Sequence, residues 1–87
     1  MNREKIFLTV NEIFREIFDD PELSVTDKTD ANDIEDWDSL EQINLLVAME
    51  KKFLIKFSVD DVENLQNVGE TVDLIIRKIE EKGDEQL

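Results

Sequence analysis

Apolar residues recur three and four positions apart in three separate stretches of this chain, a spacing that only an α-helix gathers onto one face. From Arg3 to Phe18 the set is Ile6, Val10, Ile13, Phe14 and Ile17, with Asn2 placed as N-cap and Glu12 and Glu16 on the opposite side. Asp19-Asp20-Pro21 ends this helix, because proline cannot continue the ladder and pushes the residue before it out of the helical region. A second helix opens at Asp38, where Asp38 and Glu41 form a capping box, and runs to about Phe53. The last helix begins with another capping pair, Asn67 and Glu70, turns Val72, Ile75, Ile76 and Ile79 to one side, and ends with Arg77, Lys78 and Lys82 ahead of Gly83. Between them Ser58 caps a short helix through Asn64, since Asp60 and Asp61 sit where the helix dipole favours negative charge.

The expected fold is therefore all-α: a small four-helix bundle of three main helices plus one short helix, with a long first loop. Residues 1–83 form the domain, and residues 84–87 are expected to be a flexible tail. Leu54 to Val59 alternates weakly in strand fashion, but a single strand has no partner here. The connection over residues 20–37 carries the apolar anchors Leu23, Val25, Ile34 and Trp37, which suggests a loop pinned to the core, and a loop so long in so small a domain usually has a function.

Eighty-seven residues make one domain that can close a modest core without metal or disulfide, and a monomer is expected. The chain has neither histidine nor cysteine, so Ser-His-Asp and Cys-His machinery and the usual zinc sets cannot be built, and no catalysis by the chain itself is expected. Absent cysteine suits a reducing compartment, and neither a signal-like N-terminus nor a run of about 20 apolar residues is present, so a cytoplasmic protein without membrane insertion is expected. Asp and Glu number 23 against 10 Lys and Arg, a net charge of −13 that repels phosphate backbones and makes nucleic acid a poor partner. Nine of the acids lie between residues 19 and 38, against Lys28 alone. Such a field either steers basic protein surfaces to this end of the molecule or belongs to a solvated acidic loop. Asp27 to Asp38 has the length of an EF-hand loop, but Thr29 and Ala31 occupy early ligand positions and Asn32 the turn position that needs glycine, so no metal site is expected.

The second helix carries more apolar residues than one buried face requires. With Leu45, Leu46, Met49 and Phe53 as the core stripe, Leu40, Ile43 and Val47 make a second stripe flanked by Glu41, Asn44 and Glu50. That stripe is either a docking face or the second buried side of a tightly packed helix. Ser39 stands at the first turn of the same helix, directly after the acidic loop. Serine is common at helix starts, yet an anion attached there meets unpaired N–H groups and the positive end of the helix dipole.

Asp38-Ser39-Leu40, followed by Glu41-Gln42-Ile43-Asn44-Leu45-Leu46-Val47-Ala48-Met49-Glu50 and Phe53, resembles the acyl carrier proteins and their relatives the peptidyl carriers, and the likeness spans nearly the whole chain. The resemblance implies that Ser39 receives 4′-phosphopantetheine from coenzyme A, flanked by Asp38 and Leu40, and that the thiol of the arm carries acyl groups as thioesters. It implies that Glu41, Ile43, Asn44, Val47, Glu50 and Val62 meet partner enzymes, with Val62, in a short third helix within Phe57 to Leu65, also lining the path of the acyl chain. The partners so implied are a phosphopantetheinyl transferase and acyl-loading and acyl-transferring enzymes with basic surfaces. Trp37 stands where carriers of primary fatty acid synthesis usually have a small residue, and Lys51 and Lys52 replace acids common after Glu50. Trp-Asp-Ser-Leu looks more like stand-alone carriers of polyketide, lipid or sugar-modification pathways, although the indole also suits an anchor for the loop. An aminoacyl or peptidyl carrier, and an acidic protein-interaction domain without covalent cofactor, are the alternative readings.

Overall fold

In the computed structural model, which describes residues 2–85, four helices follow one another as α1 (Arg3–Ile17), α2 (Ser39–Phe53), α3 (Val59–Val62) and α4 (Val68–Glu85), with no strand among the described residues. Asn2 caps α1 through a 2.8 Å bond from the Glu4 N–H to its side-chain oxygen. The helix stops before Pro21 acts. Asp19 takes a left-handed conformation (φ 50°), its N–H bonds the Glu16 carbonyl at 3.3 Å, and the Asp20 N–H reaches back to the Arg15 carbonyl at 3.0 Å. That pair of bonds closes the last turn, and aspartate tolerates the left-handed region better than most side chains.

Three expectations at helix ends need correction. The capping box at α2 is half made: the Asp38 carboxylate accepts the Glu41 N–H at 2.9 Å, but the Glu41 carboxylate turns to the Asn44 amide at 2.7 Å, a donor one turn along the same surface. A reciprocal box forms instead at α3, where Ser58 Oγ accepts the Asp61 N–H at 3.1 Å and Asp61 accepts the Ser58 N–H at 2.8 Å. That helix ends at Val62, not Asn64, because the Leu65 N–H tightens onto the Val62 carbonyl. Finally, α4 runs through Gly83 to Glu85, since no described glycine has positive φ and Gly83 ends nothing. The expected tail at residues 84–87 thus begins as helix, and Gln86 and Leu87 lie outside the described residues.

The core forms where α1 lies against both α2 and α4. Ile6, Val10, Ile13 and Phe14 from α1 meet Leu45 and Met49 from α2 and Val68, Val72 and Ile75 from α4, with Val25 and Ile55 closing the gaps. Phe14, Leu45, Met49 and Ile75 are each buried to 2 % exposure or less, worth about 1.5–3 kcal/mol apiece against exposure. The total stability of a domain this size is only about 4–13 kcal/mol, so these few side chains dominate it. Leu46, Ile76, Ile79 and Phe53 are half-buried around them, somewhat further from the centre than their spacing suggested.

The long loop is pinned at both ends and in the middle. Arg15 donates to the Leu23 carbonyl at 2.7 Å, and the Asn11 side chain brackets Val25, accepting its N–H at 2.7 Å and donating to its carbonyl. Arg3 ties Asp27 to Asp73 at the start of the bundle, and its guanidinium holds the Asp27 carboxyl below the usual carboxylate range. The first N–H groups of α4 are spent on the same loop: Val68 N–H bonds the Thr29 carbonyl at 2.9 Å and Gly69 N–H the Asp27 carbonyl at 3.0 Å. A Cβ at position 69 would sit 2.5 Å from the Asp27 carboxylate and 2.9 Å from its carbonyl oxygen, so only glycine permits this approach.

Candidate functional site

The anchored loop delivers Ser39 to the surface as the first residue of α2. Asp38 fills the cap position with its side chain on the Glu41 N–H, while its carbonyl accepts the Gln42 N–H at 2.9 Å. Ser39 and Leu40 are exposed, and their N–H groups point out of the helix start without intrahelical partners. No side chain is hydrogen-bonded to the Ser39 hydroxyl among the described residues. Nearby acids oppose the pull of the helix dipole on an anion placed there.

Trp37 fixes the geometry just ahead of the serine. Its ring meets Phe14 edge-on at 5.2 Å and lies 6.3 Å from Phe18, and its indole N–H donates to Gln42 Oε1 at 2.8 Å. The indole is thus an anchor that stitches the loop to α1 and to the first turn of α2. An open cleft of about 580 Å³ runs from Ser39 between α2, α3 and the start of α4, with Ile43, Val62 and Leu65 on its apolar side and Gln42, Asn67 and Thr71 on its polar side. An exposed hydroxyl on a capped helix start, with free N–H groups beside it and a cleft below, fits a phosphodiester and a slender arm.

The second stripe of α2 is on the surface: Leu40 is 65 %, Ile43 57 % and Val47 41 % exposed. Two-sided burial of α2 is thereby ruled out. Glu41 and Asn44, joined to one another, border the strip. Glu50 does not stand free on its rim, because it is half-buried and accepts the Phe57 N–H at 2.8 Å, holding the connection to α3. Val62 is half-buried at the cleft and not part of the exposed strip. Sequence reasoning missed Gln42, Leu65 and Thr71 as cleft residues and saw Asn67 only as a cap. The signal for Gln42 was present, since it lies one turn beyond Ser39 on the same helix face.

Helix α3 is fastened to α4 by Asp61, whose carboxylate takes the Lys78 ammonium at 2.7 Å and the Arg77 guanidinium at 3.9 Å. The Lys78 bond, joined by the Ser58 N–H, lowers its pKa to about 2. This tie holds the far wall of the cleft in place.

A small acidic helical bundle that presents an exposed serine at a helix start beside a cleft has the form of a carrier domain. The family model described as "Phosphopantetheine attachment site" matches residues 9–75. The chain is 35 % identical over 75 residues to the acyl carrier protein of Acidothermus cellulolyticus, covering 86 % of this chain and 89 % of the relative. It is also 35 % identical over 80 residues to the acyl carrier protein of Guillardia theta, covering 91 % and 98 %. The solution structure of a holo acyl carrier protein from Geobacter metallireducens superposes with a TM-score of 0.85 at 39 % identity over 91 % of both chains. The chain belongs to the acyl carrier protein family, whose prosthetic group is 4′-phosphopantetheine.

Proposed function

We propose that this chain is a monomeric, non-catalytic carrier that bears 4′-phosphopantetheine on Ser39 and works in the cytoplasm. One observation carries the attachment site: Ser39 is exposed at the start of α2 in the Asp38-Ser39-Leu40 setting, at the mouth of the cleft. When bound, the group supplies a thiol that takes acyl groups as thioesters. The chain's own part is to hold the arm at a rigid, capped helix end, to offer it the cleft, and to present both to partner enzymes. The cysteine-free sequence suits a reducing compartment.

The same reading assigns docking to the exposed strip of Leu40, Ile43 and Val47 with Glu41, Asn44 and Asp38 around it, and gives Glu50 and Val62 supporting positions. The partners are a phosphopantetheinyl transferase and acyl-loading and acyl-transferring enzymes whose docking surfaces are basic, met through electrostatic steering. The likeness of Trp37-Asp38-Ser39-Leu40 to stand-alone carriers, with Lys51 and Lys52 in the last turn of α2, favours a specialised biosynthetic pathway over general fatty acid synthesis. Incubation with coenzyme A, magnesium and a broad-specificity phosphopantetheinyl transferase, read by intact mass, tests the proposal. The wild-type mass rises by one phosphopantetheine and Ser39→Ala stays unchanged; an adduct on Ser39→Ala overturns it.

A further inference from the structure

Where α2 ends, the chain gathers cations. Acids outnumber bases 23 to 10 overall, yet Lys51, Lys56, Lys78 and Lys82 all line one open cleft of about 820 Å³ between the last turn of α2 and α4, with Val47, Leu54 and Ile55 as its apolar side. The helical rise puts this cleft about 20 Å along α2 from Ser39. Its two acids are engaged: Glu50 accepts the Phe57 N–H at 2.8 Å, and Glu81 stands 3.8 Å from Lys78, which is itself held by Asp61. Lys82 donates to the Leu54 carbonyl at 2.6 Å and meets no carboxylate among the described residues. Lys51 and Lys56 are exposed and have neither ion pair nor hydrogen bond among the described residues.

Helix-end electrostatics explain part of this. Lys51 suits the negative end of the α2 dipole, and Lys82 occupies a carbonyl left over there. Neither reason reaches Lys56, which lies in the connection after α2, nor Leu54. Leu54 holds the left-handed conformation (φ 57°), where glycine or asparagine is least costly, and is 70 % exposed amid the lysines. Strain of this kind adds nothing to the fold, and an exposed leucine held by it among cations points to a contact. We propose that this cleft docks an acidic segment of a partner protein, which lays an apolar side chain on Leu54 and Val47 and carboxylates on Lys51, Lys56 and Lys82. A net charge of −13 repels an extended anionic surface, whereas a narrow segment meets only the lysines within a Debye length of about 8 Å. Helix α2 thus has, beyond the acid-rimmed strip beside Ser39, a second docking pole of opposite sign. That pole needs neither the arm nor Ser39.

The test titrates the full chain, isotope-labelled and without the arm, with a short synthetic helical peptide that carries leucine at every third and fourth position and glutamate elsewhere, and with the same peptide built on glutamine. The acidic peptide shifts the backbone amide signals of Lys51, Leu54, Lys56 and Lys82 and leaves those of Ser39 and Glu41 in place. The glutamine peptide, and the acidic peptide on Lys51→Gln with Lys56→Gln, bind about threefold to tenfold more weakly, the scale of two exposed ion pairs. Leu54→Gly weakens binding about tenfold, the scale of burying one leucine, while its urea midpoint rises, a split that a merely structural leucine does not show. No binding of the acidic peptide, equal binding of the glutamine peptide, shifts at the Ser39 end, undiminished binding in Leu54→Gly, or the same signals moved by phosphatidylglycerol vesicles each overturn the inference. Those results leave Ser39 as the attachment site, and an adduct found elsewhere than on Ser39 leaves this cleft as it is.

Discussion

Substituting Gly69 sets two effects of opposite sign against each other. Alanine is the better helix former by up to about 1 kcal/mol, so a glycine in the first turn of α4 is, on propensity alone, a weakness that Gly69→Ala repairs. The added Cβ, however, falls 2.5 Å from the Asp27 carboxylate, 2.9 Å from its carbonyl oxygen and 3.1 Å from its Cα. The carboxylate is tied to Arg3, and the carbonyl accepts the Gly69 N–H at 3.0 Å, so the loop backbone itself has to move and its bond to α4 lengthens. Overpacking of this kind costs about 1–3 kcal/mol, which outweighs the propensity gain and leaves a net loss of about 1–2 kcal/mol. In a domain of this size that is a fall in Tm of about 5–15 °C. Gly83→Ala is the control: it lies in the same helix with nothing within 4 Å of its Cβ position, so it stabilises, by up to about 1 kcal/mol. Urea and thermal unfolding followed by far-UV circular dichroism measure both. A Gly69→Ala protein more stable than wild type refutes the clamped loop.

Leu54 holds a left-handed conformation (φ 57°) with its side chain 70 % exposed, so Leu54→Gly relieves about 1 kcal/mol of backbone strain and raises the urea midpoint; a fall contradicts the assignment. Asp61 is depressed from 3.8 to about 2, so its bond to Lys78 contributes fully above about pH 4 and is lost as pH falls toward 2. Urea midpoints across that window decline less steeply in Lys78→Met than in wild type, and equal slopes contradict the tie. Trp37→Phe keeps the contacts with Phe14 and Phe18 but loses the bond to Gln42, which costs about 0.5–1.5 kcal/mol by urea unfolding; no loss removes the bond from the account. Docking of the modifying transferase weakens as salt is raised and in Glu41→Lys, measured as a higher KM for the carrier, and a salt-independent KM shifts the weight to Leu40, Ile43 and Val47.

The helices were readable because periodicity and caps speak to short-range geometry: Asn2, Asp38, Ser58 and Asn67 all cap where expected. What the sequence left open was how each surplus group is spent. Periodicity could not decide whether Leu40, Ile43 and Val47 are covered, because that depends on how many neighbours α2 has. It could not foresee that Glu41 prefers Asn44 to Asp38, or that Glu50 turns in to the Phe57 N–H, since both choices are made by donors placed by tertiary folding. The roles of Gly69 and Arg3 were equally hidden, because Asp27 meets them only after the loop has crossed from α1 to α4. The place of Ser39 at an exposed helix start was legible in the sequence, whereas the cleft beside it required three segments to converge.

The account turns on which hydroxyl bears the arm. The chain has three serines, Ser24, Ser39 and Ser58, and both others are exposed and can compete in principle. Fragment-level mass spectrometry of the loaded protein, following ejection of the pantetheine group, locates the adduct. The account predicts it on the fragment holding Asp38-Ser39-Leu40 and nowhere else; an adduct on Ser24 or Ser58 contradicts it.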